Sequence, residues 1–370
     1  MYIVAVSLKA FRFLLCALSK NKVFFTMDSI THVSLGICVG EILLSKKLGK
    51  KALIWGALAQ NLPDIDTFAA FFVSPDKDLL IHRSLTHSLF FALIVGLLLA
   101  LLAKKIHRKV FLPFATLAFF FIFQLMLHDL LDTCNSYGTG LLEPFSHHRF
   151  SINLLYVADP LFTIGLFIAS IVLIFKNSTN KNRKKWAFSA IFISIFYLFF
   201  AGFNKAYINR RADAAFRSKK INPADYFTTP APFNSMLWYI AVAADSGYYT
   251  AYSSVWDDSK HPVEFEKHLK DYSLLNKPVN RDVVHNLIEF AGNYYTVSQS
   301  SNVLYFNILR FEQVQGWRIK NAPFAFSYPL VSGHDEYLLL QKGRLAGWNE
   351  KAIKKYIERI GGREAMEKTQ

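Results

Sequence analysis

Residues 110–132 read VFLPFATLAFFFIFQLMLHDLLD. Apart from Thr116 and Gln124, the interior is apolar, and the ionisable residues His128, Asp129 and Asp132 gather at one end. A hydrocarbon core of roughly 30 Å needs about 20 helical residues. The segment is therefore long enough to cross a membrane and brings a polar cluster to its exit.

Similar apolar runs lie on both sides, at 30–45, 52–62, 84–103, 157–175 and 186–203. The runs starting at 84, 110, 157 and 186 reach or approach spanning length. The first two, of 16 and 11 residues, are read as tilted into a recess, or the second as broken at Pro63 and continued by Phe68–Val73. The mean hydropathy of +0.22, the 35 Phe and a charged fraction of 19% agree with a membrane region, since soluble domains carry about 25% charge. The charge is uneven: residues 1–203 hold 20 Lys/Arg and 10 Asp/Glu, and residues 204–370 hold 22 and 17. Disorder, collagen and a disulfide scaffold are excluded, the last because there are only three cysteines.

A net charge of +15 would suit a nucleic-acid binder, but the excess sits in clusters between apolar runs. Lys46, Lys47, Lys50 and Lys51 follow the first run; Lys104, Lys105, Arg108 and Lys109 the third; Lys176, Lys181, Arg183, Lys184 and Lys185 the fifth. The alternate connections, 63–83 and 132–156, hold only Lys77, Arg83 and Arg149. The positive-inside rule places the basic clusters in the cytoplasm and residues 204–370 outside. The expected architecture is an α-helical membrane bundle of about six membrane helices, followed by a strand-dominated α+β extracytoplasmic domain. Its divisions are 1–26 (leader or upstream extension), 27–203 (membrane domain) and 204–370 (outer domain). In the last, Tyr248–Val255, Tyr294–Val297, Val303–Phe311, Phe324–Val331 and Tyr337–Gln341 read as strands. Glu350–Ile360 reads as an amphipathic helix.

On this topology, six of the seven histidines of residues 1–203 fall at the outer end of the bundle; the seventh is His107. Buried ionisable groups near hydrocarbon cost about 2.5–3.5 kcal/mol each on the insertion scale, so such a cluster needs mutual partners or an ion. Imidazole and carboxylate together suit Zn²⁺ or Mn²⁺. His128 and Asp132, four apart, share a helix face, and Asp129 is turned away as an orienter of a ligating His. Asp64 and Asp66 lie in Pro63-Asp64-Ile65-Asp66, with Asp66 expected to cap a following helix. His82 and His87 flank Ser84, read as the next N-cap, and Arg83 reads as an exposed cation suited to a phosphate. Glu41 is expected to pair with Lys46/Lys47, and Gly36 and Gly40 form a GxxxG helix-packing pattern. Trp317, Trp348 and Tyr328 read as core or interface aromatics. Asp159 reads as an N-cap, and Cys134, His147 and His148 as loop residues.

Taken in order, Thr31-His32, Pro63-Asp64-Ile65-Asp66, His82-Arg83-Ser84-Leu85-Thr86-His87-Ser88 and His128-Asp129-Leu130-Leu131-Asp132 resemble the YdjM-like inner-membrane metal-dependent hydrolases. Asn135-Ser136-Tyr137-Gly138-Thr139 and Asp159-Pro160 continue the likeness, which covers about residues 27–205. The resemblance implies a bacterial plasma-membrane hydrolase with metal ligands at His32, Asp64, His82, His87, His128 and Asp132. A more distant similarity of His-x₃-Asp to zinc-dependent phospholipase C and P1-type nucleases implies a phosphoester substrate.

The expected function is a membrane-bound metallohydrolase holding two divalent ions, Zn²⁺ first and Mn²⁺ as alternative. It would act on a membrane lipid or lipid-linked phosphoester at the outer face, with no nucleic-acid partner. Asp66 or Asp129 would handle the proton, and Arg83, with Arg149 as a second candidate, would bind the phosphoryl group. The rival readings are a divalent-cation binding or transport protein and a metal-stapled structural membrane protein.

Overall fold

The computed structural model describes residues 23–258, 262–270, 272–276, 279–300, 303–330 and 347–362. Most of the expected leader and the expected strand Tyr337–Gln341 lie outside these residues. The chain forms two compact units. The first comprises the described residues up to Leu62 with Ile94–His128 and Val157–Ile195; the second comprises Pro63–Leu93, Asp129–Tyr156 and the described residues from Phe196.

The first unit is helical. Helix α1 (Val23–Leu43) is followed by the short α2 (Ser45–Leu48) and by α3 (Lys51–Asn61). Helix α1 lies against α3 with almost no space between the backbones: a Cβ on Gly36 would stand 2.3 Å from the Gly56 carbonyl oxygen, and one on Gly40 the same distance from that of Ala52. The GxxxG spacing is thus used for close approach. Glu41 pairs with Arg183, not with Lys46/Lys47. Arg183 donates Nε to Oε1 at 3.1 Å and Nη2 to Oε2 at 2.7 Å, and its Nη1 serves the Leu173 and Lys176 carbonyls. A planar fork matches a buried carboxylate bidentately, as an ammonium does not.

Helices α4 (Pro75–Ile81), α5 (Leu89–Ile106), α6 (Phe114–Asp132), α7 (Pro160–Phe175) and α8 (Arg183–Lys219) follow. Among the described residues, three helices are long and apolar enough to cross a membrane: α5, α6 and α8; the apolar stretches Ser29–Leu43 and Pro160–Phe175 are shorter. Leu98, Leu101, Phe192 and Phe203 are exposed, as residues facing lipid would be. Asp159 caps α7, its Oδ1 accepting from Leu161 N and Phe162 N.

The helical region is followed by an antiparallel-sheet domain within the second unit. One sheet is ordered β1 (Pro223–Pro230), β2 (Leu237–Ala244), β3 (Gly247–Ser254) and β4 (Glu266–His268). The other is β5 (Tyr295–Ser300), β6 (Val303–Gln313) and β7 (Phe324–Leu330), with helix α9 (Arg281–Ala291) packed on it through Leu287 and Phe290. Helix α8 does not stop near residue 203. Its C-terminal part continues because Ile208, Ala212, Ala215 and Phe216 bury one face with Trp238, Ile240 and Val242 of β2. The closing helix is α10 (Glu350–Ile360), where Tyr356 packs with Trp317 and Trp348.

Candidate metal centre

Four segments build the centre. Pro63 starts a 3₁₀ helix, Pro63–Phe71, which carries Asp64 and Asp66. A short 3₁₀ turn, Leu85–His87, holds His87 just before α5. Helix α6 ends with His128 and Asp132 one turn apart, and the loop after it supplies Asn135. Two caps differ from the sequence reading. Ser88, not Ser84, caps α5, its Oγ accepting from Phe91 N at 3.0 Å. Asp66 caps no helix, because its carboxylate is taken by three groups from residues 82–86: His82 Nδ1 at 3.0 Å on Oδ1, and Arg83 N at 2.9 Å and Thr86 Oγ1 at 2.8 Å on Oδ2.

Asp64, His87, His128 and Asp132 each offer one ligand atom, and the four atoms lie within 4.8 Å of one another. His87 Nε2 is 3.4 Å from Asp64 Oδ1 and 3.4 Å from Asp132 Oδ2. Ligands about 2.0–2.2 Å from one Zn²⁺ ion in a tetrahedron stand roughly 3.3–3.6 Å apart, so the two His87 spacings fit a first-row dication. The ring orientations fit as well. His128 Nδ1 meets the Gln60 carbonyl at 2.6 Å. His87 Nδ1 meets Thr86 Oγ1 at 3.0 Å and Asp66 Oδ2 at 3.3 Å. Each histidine is thus engaged at Nδ1, which leaves Nε2 as the metal-facing atom, the arrangement by which a neighbouring acceptor fixes a ligating tautomer. The group can hold a metal ion.

The electrostatics agree. Burial lowers the basicity of His87, but hydrogen bonds that its ring donates to Asp132, Asp64 and Asp66 outweigh it and hold the imidazole well above its ordinary value. Burial raises Asp66, yet the hydrogen bonds and charges of His82 and His87 keep its carboxyl well below the usual range. A site that favours a proton this strongly favours a dication for the same reason.

The remaining candidates sit around this group. His32 lies with its ring centroid 3.9 Å from that of His128, and its Nδ1 is 3.3 Å from Gln60 Oε1. His82 stands on Asp66, its ring centroid 5.9 Å from His87. Asp129 is buried. Arg83 is not the exposed cation read from the sequence: it is 3% exposed, with Nε 3.1 Å from Asp132 Oδ2 and Nη1 on Asn135 Oδ1 at 2.8 Å. Its left-handed backbone (φ +61°) turns the chain so that its own N–H also reaches Asp66. His147 is exposed and paired with Glu143 at 2.9 Å. Asn135, Thr86 and Gln60 complete the surround. Thr86 and Asn135 had a signal in the sequence as members of the motifs that carry the resemblance, and Gln60 as a polar residue in an apolar run.

The family model described as YdjM inner membrane protein matches residues 27–208. The inner membrane protein YbcI of Escherichia coli (strain K12) is 33% identical over 123 residues, covering 33% of this chain and 69% of that protein. The uncharacterized protein YfhP of Bacillus subtilis (strain 168) is 31% identical over 155 residues, covering 38% of this chain but 44% of that protein. No solved structure matches the chain. The family match spans all four donors of the centre, and the match to YbcI extends over two thirds of that relative. The chain belongs to the YdjM inner membrane protein family.

Proposed function

We propose that the chain is a multi-pass inner-membrane hydrolase, with its centre at the outer face and a phosphoester, lipid or lipid-linked, as substrate. The observation that carries this reading is the convergence of Asp64, His87, His128 and Asp132 with both histidines engaged at Nδ1. Two imidazoles and two carboxylates suit Zn²⁺, with Mn²⁺ as the alternative. They suffice for one ion, and a second would draw on His32 and His82. The metal would supply Lewis acidity and a nucleophile at neutral pH.

The chain's own groups have separable tasks. Asp66 orients His82 and His87. Arg83 offsets the charge of Asp132 and keeps the carboxylate in place. Asp129, buried on α6, is proposed as the proton acceptor. Orientation toward the outer leaflet follows from the basic clusters of the opposite connections, and a site at that depth suits a substrate entering sideways from lipid.

The test is metal analysis of the purified full chain, with turnover of a phosphodiester panel that includes lipids, for wild type and His128→Ala. The expected result is bound divalent metal and metal-dependent hydrolysis, both lost in the variant. Bound metal with no ester hydrolysed would replace this reading by a metal-stapled structural protein. Metal-dependent cation flux in liposomes would replace it by transport.

A further inference from the structure

Two arginines of the second unit stand apart from the ion pairs that hold the centre. Arg149, in the loop after α6, spends its guanidinium on main-chain carbonyls: Nη1 on His82 and Gly138 at 3.2 and 3.4 Å, and Nη2 on His82 at 3.1 Å and on Leu80. Arg310 reaches the same loop from β6 of the sheet domain. Among the described residues its one hydrogen bond is a long one, Nη1 to the Phe290 carbonyl at 3.4 Å. The close approach depends on Gly138 (φ +82°), where a Cβ would stand 2.9 Å from Arg310 Nη2 and 3.1 Å from Arg149 Cβ. Arg310 Nη2 is therefore no more than about 6 Å from Arg149 Cβ.

Both side chains are partly buried, and neither has a carboxylate within ion-pair distance among the described residues. The carboxylates that act on Arg149 from farther off are those of Glu289, Glu143 and Asp66. Burial, followed by the charge of Arg149, pushes Arg310 down to about 10, so both remain cationic at neutral pH. Two like charges brought together while partly withdrawn from water, with no carboxylate in direct contact, repel one another. A fork of free N–H donors offsets that repulsion only when it meets an anion.

We propose that Arg149 and Arg310 form an oxyanion subsite that receives a phosphoryl group, with Arg310 supplying the free donors. A tetrahedral phosphate can accept from the donors of Arg310, while Arg149, held on main-chain carbonyls, contributes its charge, and it carries enough charge to balance both, which a single carboxylate does not. The anion site stands on its own geometry; its use in catalysis rests on the hydrolase reading above. It also assigns the phosphate-binding task to residues other than Arg83, which is committed to Asp132 and Asn135.

The experiment titrates inorganic phosphate into the full chain in phosphatidylcholine nanodiscs, first stripped of metal by chelation, and reads tryptophan fluorescence and the thermal midpoint. Saturable binding is expected, weakened about tenfold or more by Arg310→Gln and left unchanged by Arg281→Gln at an exposed site. Arg310→Lys, which keeps the charge but loses the fork, guards against misfolding of the Gln variant and should weaken binding several-fold. Equal binding by wild type and Arg310→Gln, or no saturable binding by wild type, overturns the subsite. Adding phosphatidic acid to the discs separates the sources: competition with free phosphate identifies a lipid headgroup as occupant, and no competition identifies a soluble phosphate compound. Phosphate binding without ester turnover would leave this site and remove the hydrolase reading. Turnover and phosphate binding indifferent to Arg310→Gln would do the reverse.

Discussion

Asp66 shows how much of a candidate metal site can reside in a side chain outside the donor set. Its two oxygens face four donors on His82, Arg83, Thr86 and His87, so it fixes both the turn Leu85–His87 and the ring of a ligating histidine. Asp66→Asn keeps the volume but replaces one oxygen by an NH₂ that confronts those donors. Loss of such an outer partner typically costs 10–100-fold in metal affinity. Zinc affinity of the variant, measured by competition with a chromogenic chelator, should fall by about that range while the protein stays folded. An unchanged affinity would remove Asp66 from the site's support. The donors themselves were legible in the sequence because local spacing carried them: His128 and Asp132 are one helical turn apart, and Asp64 follows the proline that breaks the second apolar run. The state of Arg83 was not legible. Its burial depends on Asn135 and Asp132, about fifty residues away, and on a left-handed backbone that no spacing signals.

Helix α3 illustrates a constraint acting between elements. A Cβ on Gly56 would fall 2.0 Å from the Gly36 carbonyl oxygen and 3.0 Å from Gln124 Nε2, and Gln124 Nε2 itself donates to the Gly36 carbonyl at 3.2 Å. Gly56→Ala should therefore force α1 and α3 apart, at the roughly 1–3 kcal/mol typical of overpacking, and lower the thermal midpoint in detergent. Gly202→Ala on α8, where a Cβ meets nothing within 4 Å, should not lower it, since alanine favours a helix over glycine. At the edge of the first sheet, burial holds His268 below its ordinary value against the opposing pull of Glu266. The folded form thus takes up a proton less readily than the unfolded chain, and stability should fall as pH drops below about 6.5. His268→Gln, which keeps a partner for Thr250 Oγ1, should flatten that fall in melts compared at pH 7.5 and 5.5. An identical slope in both proteins would remove His268 as the cause. Among the elements, the alternating and aromatic strands β3 and β5–β7 and the amphipathic α10 could be read from pattern. β2 could not: its sequence LWYIAVAA is buried on both faces and has no alternation. The tail of α8 was missed because the polar residues after 203 hide a face that only the strands beside it make apolar.

Orientation in the membrane is a property of the entire chain, set by the sum of its connections. The basic clusters at 46–51, 104–109 and 176–185 all follow alternate apolar runs, and the intervening connections are nearly free of lysine. The pairing of Arg183 with Glu41 cancels one of these charges but leaves the asymmetry intact. Because short cytoplasmic loops retain Lys and Arg, Lys109 should face the cytoplasm and the β2–β3 turn at Asp245 the opposite side. Both positions are exposed, so each accepts a cysteine without disturbing a core. In a background with Cys16, Cys38 and Cys134 replaced, a membrane-impermeant maleimide should label Asp245→Cys once the outer face of the inner membrane is accessible. Lys109→Cys should react only after that membrane is permeabilised. Labelling of both under the first condition, or of neither, would overturn the arrangement. It would also move the centre away from the outer leaflet, where a lipid phosphoester is proposed to enter.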